Sequence, residues 1–232
     1  MSGPVAMPPL SQAGLATRRQ LAELGARYHR AGWLFGTSGN LSARLTVDGE
    51  TRVVVTASGR DKGHLGVDDF VEVTLEGLLV AGPPGGKPSA ETSIHLAIYR
   101  TRPAANVALH VHTVASTLAT ADPSDPLRRG PPQSPDQPRL SFIGLELMKG
   151  WDLWEEGAVA RLPVFPNHSR VTEIANEIED FYGAFPDEAV PSLLISSHGI
   201  TSWGGDAFTA NRHLEVTEFL CQVALARRSL LR

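Results

Sequence analysis

Short strand-like runs and amphipathic helical stretches are interleaved along almost the whole chain, and this constrains the fold more than any other feature. Ser11 to Ala31 carries Leu15, Leu21, Leu24 and Tyr28 at three-to-four spacing and is expected to be a helix. Gly32, Gly36 and Gly39 mark the break after it. NLSARL and RVVVTAS read as strands, and VEVTLEGLLVAG as a hairpin turning near Glu76 and Gly77. AETSIHLAIYRTR follows Pro88 and is expected to be helical, with Ile94, Ala97 and Ile98 on one face. NVALHVH reads as a strand and TVASTLAT as a short helix. LPVFP and SLLISSHG are expected strands, with a helix from about Thr172 to Tyr182 between them. The last helix is expected to start at an Asp206 N-cap and to bury Ala210, Leu214, Phe219, Leu220 and Val223. Strands and helices mixed in this way, with at least one hairpin, imply an α/β domain whose mixed or mainly antiparallel sheet is covered by helices.

With 232 residues, 42 % of them hydrophobic, the chain can bury one large core. Residues 1–10, with three prolines, are expected to be flexible, and residues 11–232 to form a single domain. Residues 121–138 hold six prolines and no periodicity, the mark of a disordered or a functional segment. The net charge is −4 with both signs scattered, so no basic face for nucleic acid is expected. No apolar run approaches the roughly 20 residues of a membrane span, and the first residues lack the basic and apolar parts of a signal peptide. A soluble cytoplasmic protein with no membrane partner is the expectation. The lone cysteine, Cys221, cannot form an internal disulfide, which suits a reducing compartment. It is expected on the buried face of the last helix.

Within NVALHVH, His110 and His112 are two residues apart and so project to the same side of a strand, with Val111 opposite. Two imidazoles at this spacing serve equally well as ligands to one ion or as hydrogen-bonded histidines on a half-exposed strand. A catalytic ion would need a third ligand and an open position. His198, between an apolar strand and a glycine, sits where strand ends present functional groups. His29, His95 and His213 fall in expected helices and suit surface or core roles, while His64 and His168 lie in loops as weak candidates for substrate contact.

GTSGNLSAR, TASGRDKG, KPSAETSIHLAIYRTRPAANVALHVHT and SSHGITSWGGDAFTANRHLE occur in that order between Gly36 and Glu215. Together they resemble the motifs of the class II aldolase/adducin family. The resemblance implies a central, mainly antiparallel sheet between helix layers, assembled as a homotetramer with the metal site near a subunit interface. It implies that His110, His112 and His198 hold a divalent metal, zinc by preference and one per subunit, and that Glu91 lies beside it as base or fourth ligand. It also implies a ketose phosphate substrate whose phosphate is cradled by Thr37, Asn40, Ser58, Gly59 and Ser89, with Lys62 adding charge. Gly-rich, hydroxyl-bearing turns suit that task because they expose backbone N–H groups. Neither turn matches a Walker A pattern, so no nucleotide is implied.

FIGLELMKGW resembles the corresponding segment of a dehydratase branch of that family, which acts on a methylthio-bearing ketose phosphate in methionine salvage. By that resemblance Glu146 is the acid/base, its carboxyl buried near apolar groups such as Phe142 so that it both takes and returns a proton. Phe142, Trp151 or Trp203 are the expected contacts of the methylthio group. Read without the resemblance, Glu146 is a solvated residue paired with Lys149. The family's aldolases place tyrosines here and near the C-terminus, whereas this chain has only Tyr28, Tyr99 and Tyr182. An aldolase or epimerase for another ketose phosphate is the alternative. A non-enzymatic module like the adducin head would be expected to lack the three histidines.

Overall fold

The computed structural model describes residues 7–121 and 138–230. Residues 1–6, and all of the proline-rich stretch except its two ends, lie outside them. Among the described residues nine strands form one sheet in the order β4-β3-β2-β1-β5-β9-β8-β7-β6. They are β1 (Asn40–Val47), β2 (Glu50–Thr56), β3 (Phe70–Val73), β4 (Leu79–Ala81), β5 (Val107–Val111), β6 (Arg139–Ile143), β7 (Val159–Phe165), β8 (Ser192–Ile195) and β9 (Gly199–Gly204). Every neighbouring pair is antiparallel except β7 and β8. The helices are α1 (Leu15–Arg30), α2 (Thr92–Thr101), α3 (Val114–Ala119), α4 (Val171–Ala184) and α5 (Ala207–Leu230). The structure is thus the α/β domain expected from the sequence. None of its described helices is long and apolar enough to cross a membrane.

The alternation of side chains along the strands divides the core in two. Leu109 and Val111 of β5 pack with Leu21 and Tyr28 of α1 and with Leu214, Leu220 and Cys221 of α5. Ala108 and, on β2, Val53 and Val55 face Ile94 and Ile98 of α2 and Ile178 and Phe181 of α4. Leu21, Ile94, Ile98, Leu109 and Leu214 are fully buried, each contributing about 1.5–3 kcal/mol relative to exposure. Cys221 is buried and free, as expected.

Local chemistry sets several boundaries. The two-residue turn between β1 and β2 is Asp48–Gly49, with φ of 51° and 82°; positive φ at both central residues is the type I′ hairpin geometry. Asp206 caps α5, its Oδ1 accepting a 2.7 Å bond from Thr209 N. The stripe expected on α5 needs correction. Phe219 is 39 % exposed and Val223 only half-buried, while Thr217 and Ala224 take the inward positions. β6 and β9 were not legible as strands.

Candidate active site

β5 runs at the centre of the sheet between β1 and β9, and the site is built at its C-terminal end. His110 lies opposite Asn40 of β1 and Thr201 of β9. It points to the α2 side of the sheet, as Ala108 does. His112, just past the strand, points the same way and is fixed by its backbone N–H, which donates to Trp33 O at 2.9 Å. His198 sits in the tight β8–β9 turn, where Ser197 adopts φ of 54° and His198 N donates to Ile195 O at 3.1 Å. Glu91 is the N-cap of α2, which covers this face of the sheet.

These four side chains converge. The Nε2 atoms of His110 and His112 lie 2.9 Å apart, and those of His112 and His198 3.0 Å apart. Glu91 Oε1 is 2.9 Å from His198 Nε2, 3.5 Å from His112 Nε2 and 3.6 Å from His110 Nε2. All four donor atoms lie within 4.8 Å of one another. Three imidazole nitrogens and one carboxylate oxygen form a donor set that suits a divalent transition metal.

The hydrogen bonds around the cluster fit that use. His110 Nδ1 lies 2.9 Å from Thr201 Oγ1; donating its proton there leaves Nε2 as a bare lone pair facing the cluster, the usual outer support of a ligating imidazole. Burial pushes the His110 pKa down to about 4, against the opposing pull of Glu91. Burial alone would raise the Glu91 pKa, but the charge and hydrogen bonds of His110 and the bonds from His112 and His198 hold it well below the carboxylate range. Neutral imidazoles and an ionised carboxylate are the protonation states that ligation needs.

An open cavity of about 540 Å³ leads to the cluster, lined by His112, His198, Ser38, Asn167 and Ser197 on its polar side. Its apolar wall is Phe35, Val114 and Leu118, which are 58 %, 64 % and 51 % exposed. Phe142, Trp151 and Trp203, the aromatic residues expected there, are instead 2 %, 3 % and 6 % exposed. Phe142 and Trp151 pack within the α1/α5 core, and Trp203 lines a cavity at the other end of β9.

The two Gly-rich turns meet beside the site, and their residues divide by role. Thr37, Ser58 and Gly59 are exposed and Ser89 half-buried. Lys62 is 2 % exposed, and its ammonium donates to Thr37 O at 2.8 Å and Arg60 O at 2.9 Å. It therefore ties one turn to the other, which differs from the expectation of a free phosphate-binding charge. Asn40 differs likewise. It is fully buried, and its Nδ2 donates to Ser89 Oγ at 3.0 Å and Glu91 Oε2 at 2.8 Å. Both amide protons are used inside the protein, leaving none for a phosphate.

Glu146 opens on a different cavity, lined with Lys149, Trp154 and Gly157 and sharing no residue with the one above. Its side chain is 78 % exposed and bonded to Lys149 Nζ at 2.8 Å, so the burial expected near Phe142 is not present within one chain. His64 pairs with Asp61 and His168 with Glu177; neither lines the cavity over the cluster.

The chain is 39 % identical over 210 residues to "Methylthioribulose-1-phosphate dehydratase" of Microcystis aeruginosa, covering 90 % of this chain and 95 % of that one. It is 37 % identical over 217 residues to the protein of the same name from Leptospira biflexa, covering 92 % and 98 %. Its fold superposes on the L-fuculose-1-phosphate aldolase of Thermus thermophilus with a TM-score of 0.65 at 21 % identity, over 93 % of this chain and 96 % of that one. Residues 19–225 match the family described as Class II Aldolase and Adducin N-terminal domain. The chain belongs to that family.

Proposed function

We propose that this protein is a metal-dependent lyase that dehydrates 5-methylthioribulose 1-phosphate to 2,3-diketo-5-methylthiopentyl 1-phosphate, a step of methionine salvage. The observation that carries the reading is the convergence of Glu91, His110, His112 and His198 at the foot of an open cavity, in a chain that matches dehydratases of that name over at least 90 % of its length. His110, His112 and His198 would hold the ion, with Glu91 Oε1 beside them; the nitrogen-rich donor set favours zinc. When bound, the ion supplies Lewis-acid polarisation of a carbonyl oxygen.

The remaining work falls to the chain. Thr37, Ser58, Gly59 and Ser89 would receive the phosphate, in turns braced by Lys62 and Asn40. Phe35, Val114 and Leu118 offer the methylthio group an apolar wall. A base removes the proton from C3, the C4 hydroxyl leaves as water when that proton is returned to it, and the resulting enol becomes the diketone. We assign this proton to Glu146. Within one chain Glu146 faces a separate cavity, so the assignment goes with a homotetramer in which a neighbouring copy brings Glu146 to the cluster.

Glu146→Gln keeps shape and hydrogen bonding but cannot carry the proton. Its kcat is expected to fall roughly 10²–10⁴-fold with zinc content unchanged. Mixed tetramers of inactive Glu146→Gln and His198→Ala chains should regain activity, because one copy supplies the glutamate and the other the metal site. Full dehydration by Glu146→Gln, with loss of turnover in a zinc-loaded Glu91→Gln, would move the proton to Glu91 and the chemistry toward the aldolases.

A further inference from the structure

Behind Glu91 lies a chain of buried polar groups with no place in the reaction as derived so far. On β1, Asn40 and Ser42 are two residues apart and face α2. On α2, His95 and Tyr99 follow Glu91 at intervals of four and so share its face of the helix. Asn40, Ser42 and His95 are fully buried, and Tyr99 is 2 % exposed. The two rows interlock: Tyr99 Oη lies 2.7 Å from Ser42 Oγ, Ser42 Oγ lies 2.7 Å from His95 Nδ1, His95 Nε2 bonds Asn40 Oδ1, and Asn40 Nδ2 bonds Glu91 Oε2 at 2.8 Å.

We propose that Tyr99, Ser42, His95 and Asn40 form a one-directional hydrogen-bond relay that positions Glu91, pinning Oε2 as an acceptor so that Oε1 alone faces the three imidazoles. This rests on the metal reading of the cluster. The direction follows from what each group can do. An ionised carboxylate only accepts, so the Asn40 amide must turn its nitrogen to Glu91 and its oxygen to His95. An amide oxygen only accepts, so the proton of His95 is on Nε2. A neutral ring then accepts at Nδ1, so Ser42 donates to it, and Ser42 in turn accepts from Tyr99. Burial pushes the His95 pKa down to about 3 and the Tyr99 pKa upward, so the ring stays neutral and the phenol remains a donor.

The relay also sets Ser89. Its Oγ accepts from Asn40 Nδ2 at 3.0 Å and from Glu91 N at 3.3 Å, so its own proton is free to be donated outward. One buried arrangement thereby fixes both the carboxylate beside the metal ligands and a hydroxyl donor on the phosphate side. His95 and Asn40 act through Glu91 and Ser89, which makes them positioning residues.

The test uses the full-length protein and zinc alone. His95→Leu removes both bonds of the ring and frees Asn40 to turn over; zinc affinity, read by competition with a chelator, should fall about 10–100-fold, as outer-shell losses do. His95→Gln can still donate to Asn40 and accept from Ser42, and should recover to within about threefold of wild type, a recovery that a space-filling role would not give. Ser42→Ala, a small change that keeps the core filled, leaves Nδ1 without its donor and should weaken zinc in the same direction. Nitrogen-15 spectra of histidine-labelled wild type should show a neutral, exchange-protected His95 ring with its proton on Nε2. A proton on Nδ1, or zinc affinity at the wild-type level in both His95→Leu and Ser42→Ala, would overturn the relay. If His95→Leu fails to fold, Ser42→Ala and the spectra decide alone. Wild type that shows the Nε2 proton yet takes up no zinc would remove the metal reading and leave the direction of the bonds standing.

Discussion

His95 is a titratable ring sealed in the core without charge, and that makes an acid-linked loss of stability calculable. Its pKa is near 6.5 in an unfolded chain and is pushed down to about 3 by burial in the folded one, with the charge of His110 adding to the fall and that of Glu91 opposing it. Between those values the unfolded state holds a proton that the folded state does not. Stability is therefore fully present above pH 6.5 and is lost as the pH falls toward 3, by up to about 1.4 kcal/mol per pH unit. By pH 5 this ring alone should cost the folded state about 2 kcal/mol. His110, with its pKa near 4, and His213, lowered by burial, add slopes of the same sign. The difference between wild type and His95→Gln isolates the contribution of His95. Urea unfolding at fixed protein concentration, in chelator, at several pH values from 7.5 to 5 would measure it. The His95→Gln curve should be flatter by roughly 1.4 kcal/mol per unit below pH 6. Parallel curves would mean that His95 is charged in the folded protein or solvated in a way its complete burial denies.

Three further outcomes follow from the geometry. His110→Ala should lose zinc binding while its far-ultraviolet circular dichroism stays that of wild type, because the two cores that hold the sheet do not depend on the ligand cluster; an unfolded variant would mark the metal as structural. Gly199→Ala would place a Cβ 2.2 Å from Val111 O and 3.1 Å from His112 Cδ2, so β5 and β9 must move apart. A loss of about 1–3 kcal/mol in stability, together with weakened zinc binding, is expected, and wild-type values for both would show that the pair accommodates the methyl group. Ser58→Asp sets a carboxylate in the exposed turn proposed for the phosphate and should raise KM sharply with zinc content constant; an unchanged KM would remove Ser58 from the substrate site.

Most elements were legible, the inner strands β1, β2, β5 and β8 included; the two strands that were not are β6, at an edge of the sheet, and β9, at its centre. α1 and α4 announce themselves because each has one wet and one dry face, which writes a period into the chain, whereas β3, buried at every residue, was legible from its valines and the Glu76–Gly77 turn after it. β9 lies beside β5 with every residue buried and reads GITSWG, its two large apolar residues, Ile200 and Trp203, falling three apart with Thr201 and Ser202 between them, so no alternation marks it. Its first glycine is there because Val111 O leaves no room for a side chain, a fact of the neighbouring strand and not of local propensity. In the site, the spacing of His110 and His112 was legible because the extended backbone of β5 runs on through His112, one residue past the strand. His198 was singled out by its place between an apolar strand and a glycine, and Glu91 was placed by resemblance. The tasks of Asn40 and Lys62 were not legible, since each depends on which backbone and side-chain groups a distant segment brings within reach. Phe35, Val114 and Leu118 escaped because exposed apolar residues on a loop and a short helix look like ordinary surface. Even so, E-x-x-x-H-x-x-x-Y over residues 91–99 beside N-x-S at 40–42 is a pattern of buried polar residues at helix and strand periods, and it was available to be read.

The order of strands at the centre of the sheet has a consequence for how the protein is made. β1, β5 and β9 are neighbours in space, yet Glu91 and His198, whose side chains touch, are 107 positions apart in sequence. No short piece of the nascent chain can close the coordination sphere. Until β9 has been synthesised and has slotted between β5 and β8, the early segments offer only an incomplete set of donors. Contacts this remote in sequence lose loop-closure entropy before they are made, which slows the folding of the parts that depend on them. With the proposed metal site, tight capture of the ion would report completed topology: a chain that held it would also have placed its last central strand.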